Sequence, residues 1–368
     1  MTAATLAPTG WRVQTLDSLA GLREEWDDLS GRCASATPFQ SYAWLDAWWR
    51  NYGVPGRLRV LLVFHSGRLV GAAALQRVRR GWCTVLVPLG GALADFTDVL
   101  LDDGYADEAA RLLAAALRRQ RVDFPETRAG AAIERVVRHC RHWRVPASLC
   151  LELPATPAEE LVRELPGHAR KTVRRRLNQI TRLGLDTRVV PAEETDRAVA
   201  DLLRLHALQW AGRGGNPEHF RPRFARHVTE SVRGMVDAGQ AAILEYRVGD
   251  RLVASNLVVI GGGLAGGYLY GAEPALRDDI DIATLLVTST TELAHRRGCA
   301  TMSMLRGGEG YKMRWRPQEA MNHRIVLGRG PLAWTYAVAV LARYRAVQAA
   351  RARLPWLRTV RSRLRWWR

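Results

Sequence analysis

Lysine is almost absent from this sequence. The chain has 368 residues and 54 basic side chains, of which only Lys171 and Lys312 are lysines. Lysine carries a compact ammonium group with three donors, whereas arginine carries a fixed planar fork. In a chain that otherwise uses arginine, a retained lysine indicates either a need for the compact ammonium or survival by chance, and both interpretations stay open.

Cysteine is scarce and shows no pairing pattern. The five cysteines are odd in number and share no Cys-x-x-Cys spacing, which predicts free thiols in a reducing cytoplasm. The segment His139-Cys140-Arg141-His142 has no second ligand pair nearby, so we interpret it as a basic helix surface rather than a metal site. We therefore expect no metal cofactor.

Long apolar runs are also missing. No apolar stretch reaches the ~18 residues that a transmembrane helix needs. Residues 1–10 lack a basic start followed by an apolar core, so no signal peptide is predicted. With 48% apolar and 24% charged residues, the composition is that of a globular protein. These features predict a cytoplasmic location.

Positive charge is in excess and unevenly spread. The net charge is +18, and residues 343–368 hold nine arginines and no acid. A second basic cluster runs from Arg163 to Arg182. Such charge predicts an anionic partner, either nucleic acid, a lipid surface or a phosphate-bearing substrate. After Pro355, an apolar stripe between arginines favours peripheral contact with the inner face of an anionic membrane. A solvated face is the alternative.

The length and the order of elements predict two domains. A single core rarely grows beyond ~250–300 residues. Each half of the chain reads as helices, a strand meander, then a helix and a further strand, and the turn Gly67–Ala72 corresponds to Gly249–Ala254. We predict a first domain over residues 1–150, a second over 151–330, and a basic amphipathic tail over 331–368.

Periodicity predicts the elements around the candidate site. In the second half we expect strands and helices in this order: a helix ending near Trp210, strands at 241–248, 252–261 and 265–271, a helix at 280–298, and a short strand at 301–305. In the first half, residues 95–101 are predicted as a strand.

Several segments of the sequence stand out by their order and spacing. They are Phe39-Gln40-Ser41 with Trp44 and Trp48, the hairpin Gly67–Ala74, the basic run Arg170–Arg176, Leu205-His206 with Trp210 and Gly212, Gly249–Val258, and Leu305-Arg306-Gly307 followed by Glu309, Tyr311-Lys312 and Trp315. The sequence resembles the tandem GNAT-fold acyltransferases known as cellulose-biosynthesis-associated (CelD/BcsL-like) acetyltransferases, which are relatives of the Fem aminoacyl transferases. The resemblance spans residues 11–328.

The resemblance implies a fold and a reaction. It implies an α/β protein with two tandem GNAT-like domains, whose mixed, mostly antiparallel sheets are flanked by helices. It also implies transfer of an acyl group from a thioester donor, acyl-CoA or an acyl carrier protein, to a small-molecule amine acceptor. One alternative is Fem-like transfer from aminoacyl-tRNA to a small-molecule or cell-envelope amine. The other is a non-catalytic GNAT-like protein in envelope polysaccharide assembly.

One departure from the family concerns the donor. In the GNAT fold a splayed pair of strands admits the donor's amide arm, and the N-terminus of the following helix binds its pyrophosphate. Here three acids, Asp278, Asp279 and Asp281, replace the usual glycine-rich basic loop. Carboxylates cap a helix start favourably but repel a pyrophosphate. This departure favours donors that present phosphate elsewhere, such as an acyl carrier protein or aminoacyl-tRNA.

The candidate catalytic residues are Lys312, Glu309 and Tyr270. Amine acylation needs a base and donors to the tetrahedral oxyanion. The Fem resemblance implies that Lys312 lies near the reacting centre, as an oxyanion donor or a phosphate ligand; the alternative is a surface lysine. Glu309 is either a general base or an ion-pair partner of Lys312. Tyr268 and Tyr270 share one side of a strand and line the acceptor pocket, donate to an oxyanion or pack in the core.

Five further residues are predicted to bind substrate. Asn256, in the middle of a strand, either orients a substrate amide or bonds the neighbouring strand, and Tyr311 adjoins Lys312. Arg306 precedes two glycines that allow a close approach to ligand or form a plain turn. Arg213 is predicted to contact an anionic group, and His206 is either a core histidine or a base. Since the first half has no equivalent of the Tyr311-Lys312 segment, the second half is predicted to carry the site.

Overall fold

The computed structural model describes residues 5–6 and 10–353. The chain divides into two compact units. Unit 1 comprises Met1–Ser148 and Met321–Arg368, and unit 2 comprises Leu149–Ala320. The chain therefore returns to unit 1 at its end, so the described part of the predicted tail groups with the first unit.

The N-terminal part of unit 1 alternates strands with helices. Its strands are β1 Thr5–Leu6, β2 Trp11–Leu16, β3 Leu58–His65, β4 Arg68–Arg80, β5 Cys83–Pro88, β6 Leu100–Leu101, β7 Val122–Thr127 and β8 His142–Pro154, the last of which ends in unit 2. Its helices are α1 Arg23–Gly31, α2 Tyr42–Tyr52, α3 Ala106–Leu117 and α4 Ile133–Val137.

Unit 2 begins with two helices and continues as a strand meander. Its helices are α5 Ala158–Glu164, α6 Gly167–Arg182, α7 Thr195–Trp210, α8 Pro222–Asp237, α9 Leu276–Asp279, α10 Ile282–Arg296 and α11 Gly310–Met313. Its strands are β9 Leu185–Val189, β10 Ala241–Val248, β11 Arg251–Gly261, β12 Leu264–Ala272 and β13 Thr301–Arg306. The chain then re-enters unit 1 through β14 Gln318–Leu327 and α12 Pro331–Arg353.

The sheet of unit 1 has the strand order β1-β2-β3-β4-β5-β7-β14, with β6 paired to β4. Its one described parallel pair, β5 with β7, meets at Leu86 and Val122. Large aromatic side chains fill its core, and Trp26, Trp44 and Phe39 are almost completely buried. Trp48 of α2 is buried as well.

The sheet of unit 2 has the strand order β8-β13-β12-β11-β10-β9. The strands pair antiparallel except β12 and β13, which are parallel. Helix α7 packs on β12 through buried residues at helical spacing, including Val199, Leu202 and Leu205. Helix α10 packs on β12, β13 and α6. The predicted fold class, mixed and mostly antiparallel sheets flanked by helices, is confirmed.

Two elements differ from the sequence prediction. Of the predicted strand at residues 95–101, only Leu100–Leu101 pairs. The preceding loop is held instead by Asp98, whose carboxylate accepts the backbone N–H groups of Val99, Ala132 and Ile133, each at 2.8 Å. A carboxylate that bonds several backbone groups offers the chain an alternative to a strand ladder.

The sequence places Trp334, Val338, Leu341 and Tyr344 loosely in phase along a helix over residues 332–353, which predicts that they form its apolar stripe. Helix α12 buries a different stripe. Its buried residues are Ala333, Tyr336, Ala337 and Val340. The Tyr336 hydroxyl donates to Asp123 at 2.6 Å and thereby ties the helix to β7. Trp334 and Val338, which the sequence reading placed in the apolar stripe, are exposed. Within the described residues, no helix has the length and apolar character needed to cross a bilayer.

Candidate functional site

A cavity of about 840 Å³ opens in unit 2. Its walls come from β11, β12, β13, α6, the end of α7, α9, the start of α10 and α11. Five of the nine predicted site residues lie in this wall: Asn256, Tyr270, Tyr311, Lys312 and Arg213. The two cavities described in unit 1 measure about 10 and 70 Å³. The larger space is therefore in the unit that carries the predicted residues.

The cavity exists because two parallel strands stop pairing. The register of β12 and β13 joins Leu264–Gly266 to Thr301–Ser303. Both strands continue beyond this register, and Gly267, Tyr270 and Met304 line the cavity there. A β-bulge in β12 opposite Leu257 and Val258 adds to the divergence. The result is a slot between two central strands.

Glycine at position 267 keeps the slot open. Gly267 is exposed in the cavity wall, and a Cβ atom there would meet Asn256 and Thr290 only at ordinary contact distances of 3.4 Å or more. The neighbouring Gly266 is different, because its Cβ would lie 3.0 Å from the Ser303 carbonyl oxygen and 2.9 Å from Leu305. Gly266 is thus required for strand packing, while Gly267 leaves space for a ligand.

The N-terminus of α10 opens into the same cavity. Ile282 and Ala283 line it, and the N-cap residue Asp281 makes no side-chain capping bond. The Asp281 carboxylate instead pairs with Arg176 and Arg314, the latter at 2.9 Å. Asp281 therefore holds the N-cap position, but its carboxylate binds two guanidinium groups and not the first backbone N–H groups of the helix. An uncapped helix start is a favourable place for an anion.

Charges of both signs surround the cavity. Arg175, Arg213 and Arg277 line it, as do the carboxylates of Asp278 and Asp279. Asp278 and Asp279 are exposed, and no ion pair of theirs is described. Of the three acids expected to repel a phosphate, one is thus neutralised by arginines and two remain at the wall.

The Lys312 side chain is buried and fully engaged. Its ammonium group donates to the carbonyl oxygens of Met304 at 2.8 Å, Gly307 at 3.2 Å and Arg306 at 3.4 Å. An ammonium group has three donors. Leu305, between two of these carbonyls, has a φ of +54°, which is costly for a residue with a branched side chain. Lys312 therefore holds the strained end of β13 in place beside the cavity.

Glu309 is the ion-pair partner of Lys312. Its carboxylate lies 2.9 Å from the ammonium group, and the glutamate side chain is 52% exposed. Glu309 is not part of the described cavity wall. Gly307 is required here, since its φ is +120° and a Cβ would collide with the Glu309 carboxylate.

The tyrosines do not share one role. Tyr270 lines the cavity, and burial raises the pKa of its phenol, while Gln209 and Arg213 lower that pKa. Tyr311 also lines the cavity, and its pKa is raised by burial, by Glu309 and by Tyr270. Tyr268 is the extra residue of the β12 bulge and lies outside the described wall. The two phenols at the cavity are therefore proton donors at neutral pH.

Of the remaining predicted residues, some line the cavity and others lie outside its wall. Asn256 is buried and donates to Thr290 at 3.1 Å, with both residues in the wall. Arg306 ends β13 and pairs with Cys150 of β8, outside the wall. Arg213 is exposed at the cavity. These placements give Asn256 and Arg213 access to a ligand.

His206 contacts the backbone of a cavity residue and does not line the cavity itself. Its Nδ1 lies 2.7 Å from the carbonyl oxygen of Tyr270, so Nδ1 carries the proton and donates. Its Nε2 then accepts from Nδ1 of His219 at 3.1 Å. Burial lowers the pKa of His206, and burial together with His206 lowers that of His219 to about 3. Both ring nitrogens of His206 are engaged, and it lies outside the described wall.

Several wall residues escaped the sequence analysis. Gly267, Arg175, Arg176 and Thr290 were not singled out for a site. A pair of glycines inside a predicted strand, Gly266-Gly267, is a signal for a bulge or a close backbone approach. Arg176 pairs with Asp281, which is more than a hundred residues away in the sequence. Such a pair leaves no local sequence pattern that could predict it.

The family comparison points to the same unit. Residues 167–313, all within unit 2, match the model of a family described as an acetyltransferase (GNAT) domain. This match includes α6, the splayed strands, α10 and Lys312. No curated protein matches the sequence.

Solved structures share the fold over most of the chain. FemX superposes with a TM-score of 0.59 at 10% identity, covering 84% of this chain and 96% of its own. The C-terminal domain of an Agrobacterium fabrum protein named a lysylphosphatidylglycerol synthetase gives 0.56 at 13% identity, covering 88% and 95%. L-PGS from Bacillus licheniformis gives 0.51 at 13% identity, covering 86% and 96%. At these identities the likeness shows the fold, and together with the family match it supports a GNAT-fold acyltransferase.

Proposed function

We propose that unit 2 is the catalytic domain of an N-acyltransferase that moves an acyl group from a thioester donor, acyl-CoA or an acyl carrier protein, to an amine. The observation that carries this proposal is the slot where β12 and β13 stop pairing, into which the uncapped start of α10 also opens. A slot between strands suits an extended amide-bearing arm, because strand edges offer backbone hydrogen bonds.

The residues present fit an anionic donor. The first turn of α10 presents backbone N–H groups, and Arg175, Arg176 and Arg277 line the same cavity. A helix N-terminus combined with arginines is a favourable phosphate site. The pairing of Asp281 with Arg176 and Arg314 removes one source of repulsion. Acyl-CoA, when bound, would supply the thioester that activates the acyl carbon.

The chemistry then needs a proton donor and a proton acceptor. The amine nitrogen attacks the thioester carbonyl carbon, the carbon–sulfur bond breaks, and the leaving sulfur takes a proton. Tyr270 is suited to give this proton, since its phenol lines the cavity and stays protonated at neutral pH. We assign the orientation of the substrates to Asn256 and Tyr311, since both line the cavity. Glu309 remains a predicted base, which its exposed carboxylate allows.

Lys312 acts in this proposal as a positioning residue. Three backbone carbonyls and the Glu309 carboxylate surround its ammonium group, so its three donors shape the end of β13 rather than bind an oxyanion. Arg306 and His206 likewise act through the backbone, since Arg306 ends β13 and His206 bonds the carbonyl of Tyr270. Tyr268 has no assigned contact with substrate.

A second candidate function is transfer from aminoacyl-tRNA, and the specific observation favouring it is helix α6. This helix contains no acid, and Lys171, Arg174 and Arg175 are exposed on it. Within the described chain no carboxylate pairs with these three side chains. Arg175 lies in the cavity wall, so this basic surface leads directly to the site. A nucleic acid backbone would bind such a surface through its phosphates.

The identity of the acceptor is also a proposal. A structural neighbour named for lysylphosphatidylglycerol synthesis makes a lipid-linked acceptor a candidate beside a small-molecule amine. The CelD/BcsL-like and Fem-like assignments are proposals of the same kind. The predicted membrane contact was assigned to the tail over residues 331–368 and stays a proposal; the stripe after Pro355 on which it was based lies outside the described residues.

Donor consumption tests the proposal. The purified protein is incubated separately with acyl-CoA, with acyl carrier protein and with charged tRNA, each with a mixture of amines, and loss of donor is followed. We expect the wild-type protein to consume a thioester donor. A Tyr270→Phe variant with an unchanged melting temperature should not consume it. Consumption of charged tRNA alone would favour the second candidate. No donor loss in any arm would favour a non-catalytic role.

A further inference from the structure

Unit 1 carries an exposed aromatic and aliphatic surface that the transfer reaction does not use. Trp82, at the tip of the β4–β5 hairpin, is 65% exposed, and on α12 Leu332 and Trp334 are 52% and 56% exposed. Val338 extends this surface one turn further along α12. We call Trp82, Leu332, Trp334 and Val338 the tryptophan surface. Exposed tryptophan is uncommon on protein surfaces that face only water.

The two parts of the tryptophan surface lie next to each other. The Cys83 thiol contacts the Leu332 carbonyl oxygen at 3.9 Å, so the hairpin tip adjoins the first turn of α12. Cys83, Val85, Tyr336 and Val340 form one buried cluster beneath them. Because Tyr336 bonds Asp123 on the buried side of α12, the helix is fixed with Trp334 and Val338 facing outward.

Exposed arginines lie on the same two elements as this surface. Arg79 and Arg80 precede Trp82 on the hairpin, and Arg343 and Arg345 follow Val338 on α12, and all four are exposed. Neither residues 77–88 nor residues 331–353 contain an acid. The chain then continues through residues 354–368, which hold five more arginines and three tryptophans in sequence.

We propose that the tryptophan surface docks the protein on an anionic lipid bilayer, with Trp82 and Trp334 inserted at the level of the headgroups and the arginines on lipid phosphates. Tryptophan favours the membrane interface, and basic residues add attraction to anionic lipid. A second copy of the chain is a poor occupant, because a two-fold contact would bring the arginines of both copies together. The proposal is independent of the transfer reaction.

Vesicle sedimentation of the full chain tests this proposal. Vesicles of phosphatidylcholine alone and of phosphatidylcholine mixed with phosphatidylglycerol are compared at low and high salt. We expect binding to the mixed vesicles only, weakened by salt. The Trp82→Ser/Trp334→Ser variant should bind about tenfold or more weakly, since it loses two inserted side chains. Brominated lipid should quench the fluorescence of the wild-type protein more than that of the variant.

Val54→Ser is the matched control, because Val54 is 42% exposed in unit 1 and lies outside the hairpin and α12. Both variants change exposed residues, so melting temperatures should stay near that of the wild-type protein. Equal vesicle binding by the double variant and the wild-type protein would overturn the proposal. So would a concentration-dependent dimer that the double variant abolishes, or a preference for tRNA over vesicles that the double variant removes.

Discussion

The ammonium group of Lys312 donates to the carbonyl oxygen of Met304 at 2.8 Å. Met304 lines the cavity on the strand that diverges from β12. This contact links one of the two lysines of the chain to the shape of the slot. A planar guanidinium group on a buried side chain would not fit the same three carbonyls. This gives a physical reason for a lysine at this position.

The first prediction concerns this replacement. Lys312→Arg should lower turnover at least tenfold and destabilise the protein by about 2–4 kcal/mol, because it disrupts a buried charged hydrogen-bond network. Lys171→Arg is the matched control, since Lys171 is the other lysine and is exposed. It should leave both properties unchanged. Full activity of Lys312→Arg at wild-type stability would show that Lys312 does not position the slot.

The second prediction separates the two glycines of β12. Gly267→Leu should raise the donor KM strongly with little change in melting temperature, because its side chain enters the slot without a clash at Cβ. Gly266→Ala should instead destabilise by ~1–3 kcal/mol, because its Cβ approaches the Ser303 carbonyl oxygen. Steady-state kinetics and thermal unfolding distinguish the two. An unchanged donor KM in folded Gly267→Leu would place the donor elsewhere.

The third prediction concerns the acid at the start of α10. Arg176→Ala should raise the donor KM roughly five- to tenfold, since it removes a cation from the cavity and leaves Asp281 paired with Arg314 alone. Adding Asp281→Asn to that variant should recover part of the loss. A double-mutant cycle of donor KM values measures the coupling. If Asp281→Asn alone raises the donor KM as much as Arg176→Ala does, the carboxylate itself contributes to donor binding or to the structure of the site.

The fourth prediction is a pH dependence of stability. Burial and the neighbouring His206 lower the pKa of His219 in the folded state to about 3, from an ordinary value of about 6.5. The unfolded chain therefore binds more protons between about pH 3 and 6.5, so stability is present above this window and falls as pH drops through it. His219→Gln should flatten the decline, as measured by urea unfolding between pH 4 and 7. His168→Gln, at an exposed histidine, should keep the wild-type slope.

Much of the fold follows from local patterns. The hairpin β10–β11, the helix ending at Trp210 and the strand before Lys312 were predicted near their observed bounds, because apolar periodicity and glycine turns define them. The strand predicted over residues 95–101 was wrong, since Asp98 bonds backbone groups more than thirty residues away. A side chain that satisfies distant N–H groups leaves no periodic signal.

Which predicted residues line the cavity follows from the sequence better than what they bond. Asn256, Tyr270, Tyr311, Lys312 and Arg213 carry chemistry that a sequence displays, and all five line the cavity. What each side chain bonds was not predictable, because it depends on tertiary structure. The carbonyl cluster around Lys312 arises only when β13 ends in a left-handed turn.

Photo-crosslinking tests most directly the claim that unit 2 holds the donor. A photoreactive acyl-donor analogue is bound to the full chain, irradiated, and the labelled peptides are identified by mass spectrometry. We predict labels within residues 256–315, which include the cavity residues of β11, β12, α10 and β13, and loss of those labels in Gly267→Leu. Labels confined to residues 11–120 of unit 1 would contradict the account.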